Sequence, residues 1–200
     1  MFGLLLGKLI TFPFFVIALT IHEYAHAYLA DRLGDPTPRV QGRLSLNPLK
    51  HLDPLGTIMI LFVGFGWAKP VEYDPYNLSN PRRDSGLIAI AGPLSNISLA
   101  LILSLIYHFL PLPGIGQTLL VYAIFSNIVL AIFNLVPVYP LDGSKVLEAV
   151  LPRDLSLEYQ HIMRRFGTII LLMLLLPISG SAPIHAIISP AINFLASLLI

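Results

Sequence analysis

The sequence predicts an all-α integral membrane protein of about five transmembrane helices, with a re-entrant, partly β insertion in the membrane. Three observations carry that expectation: an apolar surplus, a series of long apolar runs, and basic residues gathered into two loops. Of the 200 residues, 56% are hydrophobic and 12% are charged, and the mean hydropathy is +0.78. Soluble domains carry about 25% charged residues. A chain this short leaves much of its surface uncovered on folding, so the surplus is assigned to lipid. The net charge of +1 offers no basic face for nucleic acid. The absence of cysteine excludes a disulfide framework, thiolate catalysis and a Cys-ligated metal.

A spanning helix takes about 20 apolar residues. Residues 2–33 supply the first, apolar through residue 21 save for Lys8, and Gly34, Asp35, Pro36 and Pro38 stop it. No small-residue cleavage site follows the opening run, so it reads as a retained helix and not as a signal peptide. Residues 55–66 (LGTIMILFVGFG) are apolar but too short to cross as a helix, β-branched and punctuated by glycine. Irregular backbone survives at membrane depth only where protein or water satisfies it, and a re-entrant hairpin over about 55–70 meets that condition. Further spans are expected at 85–110, 116–136, 158–178 and 184–200. Pro137 and Pro140 end the third span, and extended backbone is expected after it.

Eleven of the twelve Lys and Arg residues fall within 31–84 and 138–165. Positive charge collects in cytoplasmic loops, which puts both segments in the cytoplasm and the N-terminus outside. With no internal repeat or linker, residues 1–200 read as one multi-pass, membrane-embedded domain.

The chemistry sits in His22-Glu23-Tyr24-Ala25-His26, which fits H-E-x-x-H. Residues four apart share a helix face, so both imidazoles can address one metal ion. Glu23 lies about 100° around the helix, beside the metal and not on it, where it can take a proton from attacking water. Zinc suits this set, because it acidifies water and polarises a scissile carbonyl. Ionisable residues at the end of a spanning helix are costly in lipid and mark function by default. A catalytic zinc takes three protein ligands, so a third is needed. The other acidic residues lie mostly in polar loops. Asp142 instead follows the cytoplasmic end of the third span, at a depth where it can meet His22 and His26.

Two other classes use the same residues. A membrane metal transporter or sensor would need further charged groups inside the spans, whose outer halves hold almost none. A non-catalytic membrane scaffold would keep the motif as a relic, against which the intact Glu23 stands. Asn96 and Asn127 read as parts of a buried packing face, and Gly92-Pro93 as a place where a neighbouring helix approaches closely. His51 and Asp53 read as residues of loop folding.

H-E-x-x-H on a membrane helix, followed by N-x-x-P-x-x-x-L-D-G over 134–143, resembles the site-2 protease family of intramembrane metalloproteases. The stretches HLDPLGT (51–57), GWAKPV (66–71) and AGPLSN (91–96) resemble its prokaryotic members, here a minimal one without an appended regulatory domain. The resemblance implies one Zn2+ per chain held by His22, His26 and Asp142, with Glu23 as general base. It implies that Asn134 steadies the substrate carbonyl or oxyanion, as an amide donor near developing negative charge can. The implied partners are the lipid bilayer and a transmembrane protein substrate, cut in or near its membrane segment.

Overall fold

In lipid every backbone N–H and C=O must find an internal partner, which favours helices. The computed structural model describes residues 2–62, 66–177 and 180–200, and eight α-helices carry most of them. They are α1 (Phe2–Arg32), α2 (Thr37–Val40), α3 (Pro54–Phe62), α4 (Pro81–Phe109), α5 (Gly114–Asn134), α6 (Asp142–Val150), α7 (Arg153–Leu175) and α8 (Pro183–Leu199). The helix starts follow local chemistry. At α4 the Asn80 side chain accepts from Arg83 N, Pro81 occupies the first turn, and Asp84 accepts from Asn80 N at 2.8 Å.

Among the described residues, three helices are long and apolar enough to cross a bilayer: Leu9–Arg32 within α1, α4 and α5. This corrects the expected count of about five. Arg153, Asp154, Glu158, Arg164 and Arg165 all fall in the first part of α7, leaving a short apolar remainder at 166–175. The last helix, α8, has 17 residues, short of the roughly 20 that a span takes.

The partly β insertion is corrected as well. Among the described residues there is no strand, and an antiparallel bridge joins Leu52 and Ala68. Residues 54–62 are helical instead, because Asp53 and Pro54 form a strong helix start. The Asp53 carboxylate accepts from Gly56 N at 2.7 Å, and its carbonyl accepts from Thr57 N at 2.8 Å. The part of the expected hairpin at 63–65 lies outside the described residues. Residues 66–71 return across the start of α3, close enough that a Cβ on Gly56 would lie 2.1 Å from Trp67 O. Buried Arg43 ties this loop together by donating to Lys50 O and Pro70 O. His51 pairs with Ser45 O at 2.7 Å, so His51 and Asp53 do serve loop folding.

The core forms where α5 meets its neighbours. Ile124 and Ile128 of α5 pack with Ala100 of α4 and with Ile184, Ile188 and Ile192 along one face of α8. Val136, Val138 and Leu141 of the turn after α5 join the same cluster and so anchor the residue that follows, Asp142. On α1 the buried positions include Ala18, Ala27 and Ala30, small residues that let helices approach closely. Beyond α1, Asp35 is fully buried and accepts from Thr37 N, Thr37 Oγ1, Asp74 N and Asn77 Nδ2. Burial raises the Asp35 pKa, but these four bonds outweigh it and hold the carboxyl below the usual carboxylate range. The exit of α1 is thereby pinned to the segment leading into α4.

Candidate metal centre

His22 and His26 lie one turn apart on α1 and face α4, both buried, with ring centroids 4.6 Å apart and planes nearly perpendicular. On α4 the positions facing them are Ile88, Gly92 and Asn96, spaced four apart on one helix face. Ile88 supplies its carbonyl oxygen, 2.7 Å from His26 Nδ1. Asn96 supplies its side-chain oxygen, 2.7 Å from His22 Nδ1. Gly92 supplies space. A Cβ there would lie 2.5 Å from His26 Nε2 and 2.6 Å from His22 Nε2.

Asp142 completes the group. Its Oδ2 stands 3.0 Å from His22 Nε2 and 3.3 Å from His26 Nε2. It is the first residue of α6, where the helix dipole favours a carboxylate. The turn before it is compact and not extended, contrary to expectation, and α6 starts at once. Gly143 permits this: a Cβ there would lie 2.2 Å from Leu135 O, so α6 stacks directly on the end of α5. The far end of α6 is fastened to α4. Arg82 donates from Nε to Glu148 O at 2.9 Å and from its other nitrogen to Leu151 O, and Ser156 Oγ donates to Glu148 O. These bonds cap carbonyls that the helix itself leaves unpaired.

The donor set fits a metal cation. A carbonyl oxygen only accepts, so both Nδ1 atoms must donate, and each neutral ring then turns its Nε2 lone pair inward. Two Nε2 atoms and a carboxylate oxygen therefore meet at one point, an arrangement that needs a positive charge between them, from a proton or a metal ion. Three such atoms can bind one ion, and all lie within 4.8 Å of one another. Tetrahedral ligands at about 2.0–2.1 Å from zinc are separated by about 3.3 Å, close to the two observed spacings. Asp142 has a side-chain exposure of 20%, against 3% and 9% for the histidines, so the group opens on its Asp142 side.

The structure thus brings His22, His26 and Asp142 together and keeps Glu23 beside them, buried on the same helix. Glu23 makes no side-chain hydrogen bond with the described residues. Asn134 is the last residue of α5, and one of its amide hydrogens goes to Leu130 O at 2.9 Å. Two residues that the sequence assigned to packing belong to the centre: Asn96 holds His22, and Asn127 holds Asn96. The signal for them was the i, i+4 spacing of Gly92 and Asn96 opposite an H-E-x-x-H helix.

Comparison with known proteins finds zinc metalloproteases among the chain's relatives. The family described as peptidase family M50 matches residues 111–174. YwhC of Bacillus subtilis, named as a candidate zinc metalloprotease, is 40% identical over 176 residues, covering 83% of this chain and 80% of its own. Rip2 of Mycolicibacterium smegmatis, named likewise, is 30% identical over 171 residues, covering 80% of this chain but 64% of its own. The zinc metalloprotease MJ0392 of Methanocaldococcus jannaschii is 24% identical over 168 residues, covering 84% of this chain and 42% of its own. No solved structure matches the chain.

Proposed function

This chain belongs to peptidase family M50 and is a metalloprotease, and from that premise we propose a zinc-dependent endopeptidase that cuts peptide bonds in or near the transmembrane segments of membrane proteins. His22, His26 and Asp142 are its metal ligands, Glu23 its general base and Asn134 its carbonyl-steadying residue. One observation carries this reading: three atoms able to ligate a metal converge in front of a helix position that has no side chain.

The roles follow from where the groups sit. Zinc, when bound, acts as a Lewis acid toward water and the scissile carbonyl. The Glu23 carboxylate, buried and with no hydrogen bond from the described residues, is a ready proton acceptor. It takes a proton from the attacking water as the new C–O bond forms, then passes it to the leaving nitrogen as the C–N bond breaks. The products are one carboxylate and one protonated amine, the second water proton also ending on the nitrogen. Asn134 spends one amide hydrogen on Leu130 O, which leaves a second for the oxygen of the attacked carbonyl. Such a donor is worth about 10²–10³ in rate. The opening at Asp142 gives water a route in. The two basic loops support a site toward the cytoplasmic face of a prokaryotic membrane.

The test is cleavage in a bilayer. The full chain is reconstituted in liposomes with a set of single-span peptides, half of them carrying Pro or Gly pairs near one end of the span. Cuts within or beside the span are expected, stopped by a zinc chelator and restored by added zinc. Helix-breaking residues should raise the rate, because a helical peptide bond is shielded from attack. Cleavage of soluble peptides alone, with every spanning peptide left intact, would overturn the intramembrane reading.

A further inference from the structure

We propose that Asn96 is a positioning residue for metal binding: it fixes the tautomer and orientation of His22, and Asn127 in turn fixes Asn96. This rests on the function proposed above and extends it to residues that touch neither metal nor substrate. Asn96 and Asn127 are buried polar side chains, 0% and 2% exposed, on α4 and α5. Buried amides in a spanning bundle usually join helices, and these do so. Their bonds, however, all run in one direction.

That direction is set by main-chain carbonyls. Asn127 Nδ2 donates to Ala123 O at 2.9 Å, so the Asn127 oxygen points toward α4. Asn96 Nδ2 donates to that oxygen at 2.9 Å and to Ala18 O, also at 2.9 Å. Both hydrogens of the Asn96 amide are then used on atoms that can only accept. Its oxygen is left for His22 Nδ1 at 2.7 Å, and the ring must donate. A flipped Asn96 would place its NH2 against the imidazole and leave two carbonyl oxygens facing a third. The relay Ala123–Asn127–Asn96–His22 therefore has one satisfied arrangement, and in it His22 Nε2 bears the lone pair.

His26 reaches the same state through the Ile88 carbonyl. Its orientation is built into the backbone, whereas that of His22 depends on side chains. Partners of this kind, behind a metal-ligating histidine, typically change metal affinity by about 10–100-fold when removed. Asn96 also holds Ala18 O on α1, one turn before His22, so it locks the ring against the helix that carries it.

Zinc affinity of the metal-free full chain in detergent, measured by chelator competition, tests this. Asn96→Leu should weaken zinc binding about 10–100-fold. Asn96→Asp should stay within a few-fold of wild type, since even a protonated carboxyl keeps one oxygen for His22 Nδ1 and one hydrogen for Asn127. Asn127→Leu should fall between them. A purely structural role would lower the metal-free melting temperature of the Asp and Leu variants alike, without this order in affinity. Equal affinities for wild type and Asn96→Leu would overturn the proposal. Should Asn96→Leu fail to fold, ring ¹⁵N spectra of zinc-loaded wild type decide: His22 protonated at Nδ1 supports it, and at Nε2 overturns it. A wild type that binds no zinc would instead sink the ligand assignment itself.

Discussion

Gly92→Ala should strip the protein of its metal while leaving the helices folded. The added methyl carbon would lie 2.5 Å and 2.6 Å from the two Nε2 atoms that face the centre, well inside contact distance. Neither ring can yield cheaply. Each is tethered at Nδ1, to Ile88 O or to Asn96, and both are buried. Relief would need α1 to move away from α4, against the packing of Ala30 on α1 with Ile88 on α4. The methyl therefore competes with the ion for one place. A zinc affinity lower by at least about 100-fold is expected, beyond what loss of an outer hydrogen bond costs. Within a helix Gly→Ala is by itself favourable by about 0.5–1 kcal/mol, so a lower melting temperature of the metal-free variant would report the clash with the rings. Equilibrium dialysis against zinc, paired with thermal melting of the metal-free protein, reads both effects. Zinc binding within a few-fold of wild type would mean that the two imidazoles do not address a common point in front of Gly92.

Glu23→Gln should have the opposite signature: metal kept, cleavage lost. Glutamine has nearly the shape of glutamate and cannot accept the proton, so the buried site keeps its packing. Glu23 is not among the three converging ligand atoms, so zinc affinity should be little changed. General-base catalysis is worth about 10²–10⁴-fold, and the loss should appear in kcat with KM nearly constant. The spanning peptides of the liposome assay give that readout. A Glu23→Gln protein that cuts at the wild-type rate would remove Glu23 from the chemistry.

The centre was more legible in the sequence than the membrane architecture was. His22 and His26 are four apart on one helix, and local periodicity reveals such pairs. Asp142 is 120 residues from His22 along the chain and was reached from its place after a span. The family resemblance then implied the same ligand. Gly92 was read as a close-approach position, and the atoms it approaches are Nε2 of His22 and Nε2 of His26. The Ile88 carbonyl could not be foreseen, since every residue carries one. Asn96 and Asn127 were visible as buried amides, but the direction of their bonds depends on Ala18 O and Ala123 O, which only the packed helices supply.

The errors have local causes. The β-branched content of 55–66 argued for a hairpin, while Asp53-Pro54 just before it capped a helix, and the cap prevailed. The proline-rich segment before Asp142 argued for extended backbone, but it folds into turns, and Gly143 lets α6 pack against the end of α5. The charged first half of α7 was folded into a span by the apolar run after it.

The central claim is that His22, His26 and Asp142 together hold one zinc ion. Metal content of the purified, detergent-solubilised chain after zinc loading and desalting tests it most directly, with Asp142→Ala alongside. About one zinc per chain in wild type, as a three-ligand catalytic site requires, and little in Asp142→Ala is the result predicted here. A well-folded wild type that emerges without zinc, or an Asp142→Ala protein that keeps as much as wild type, would contradict it.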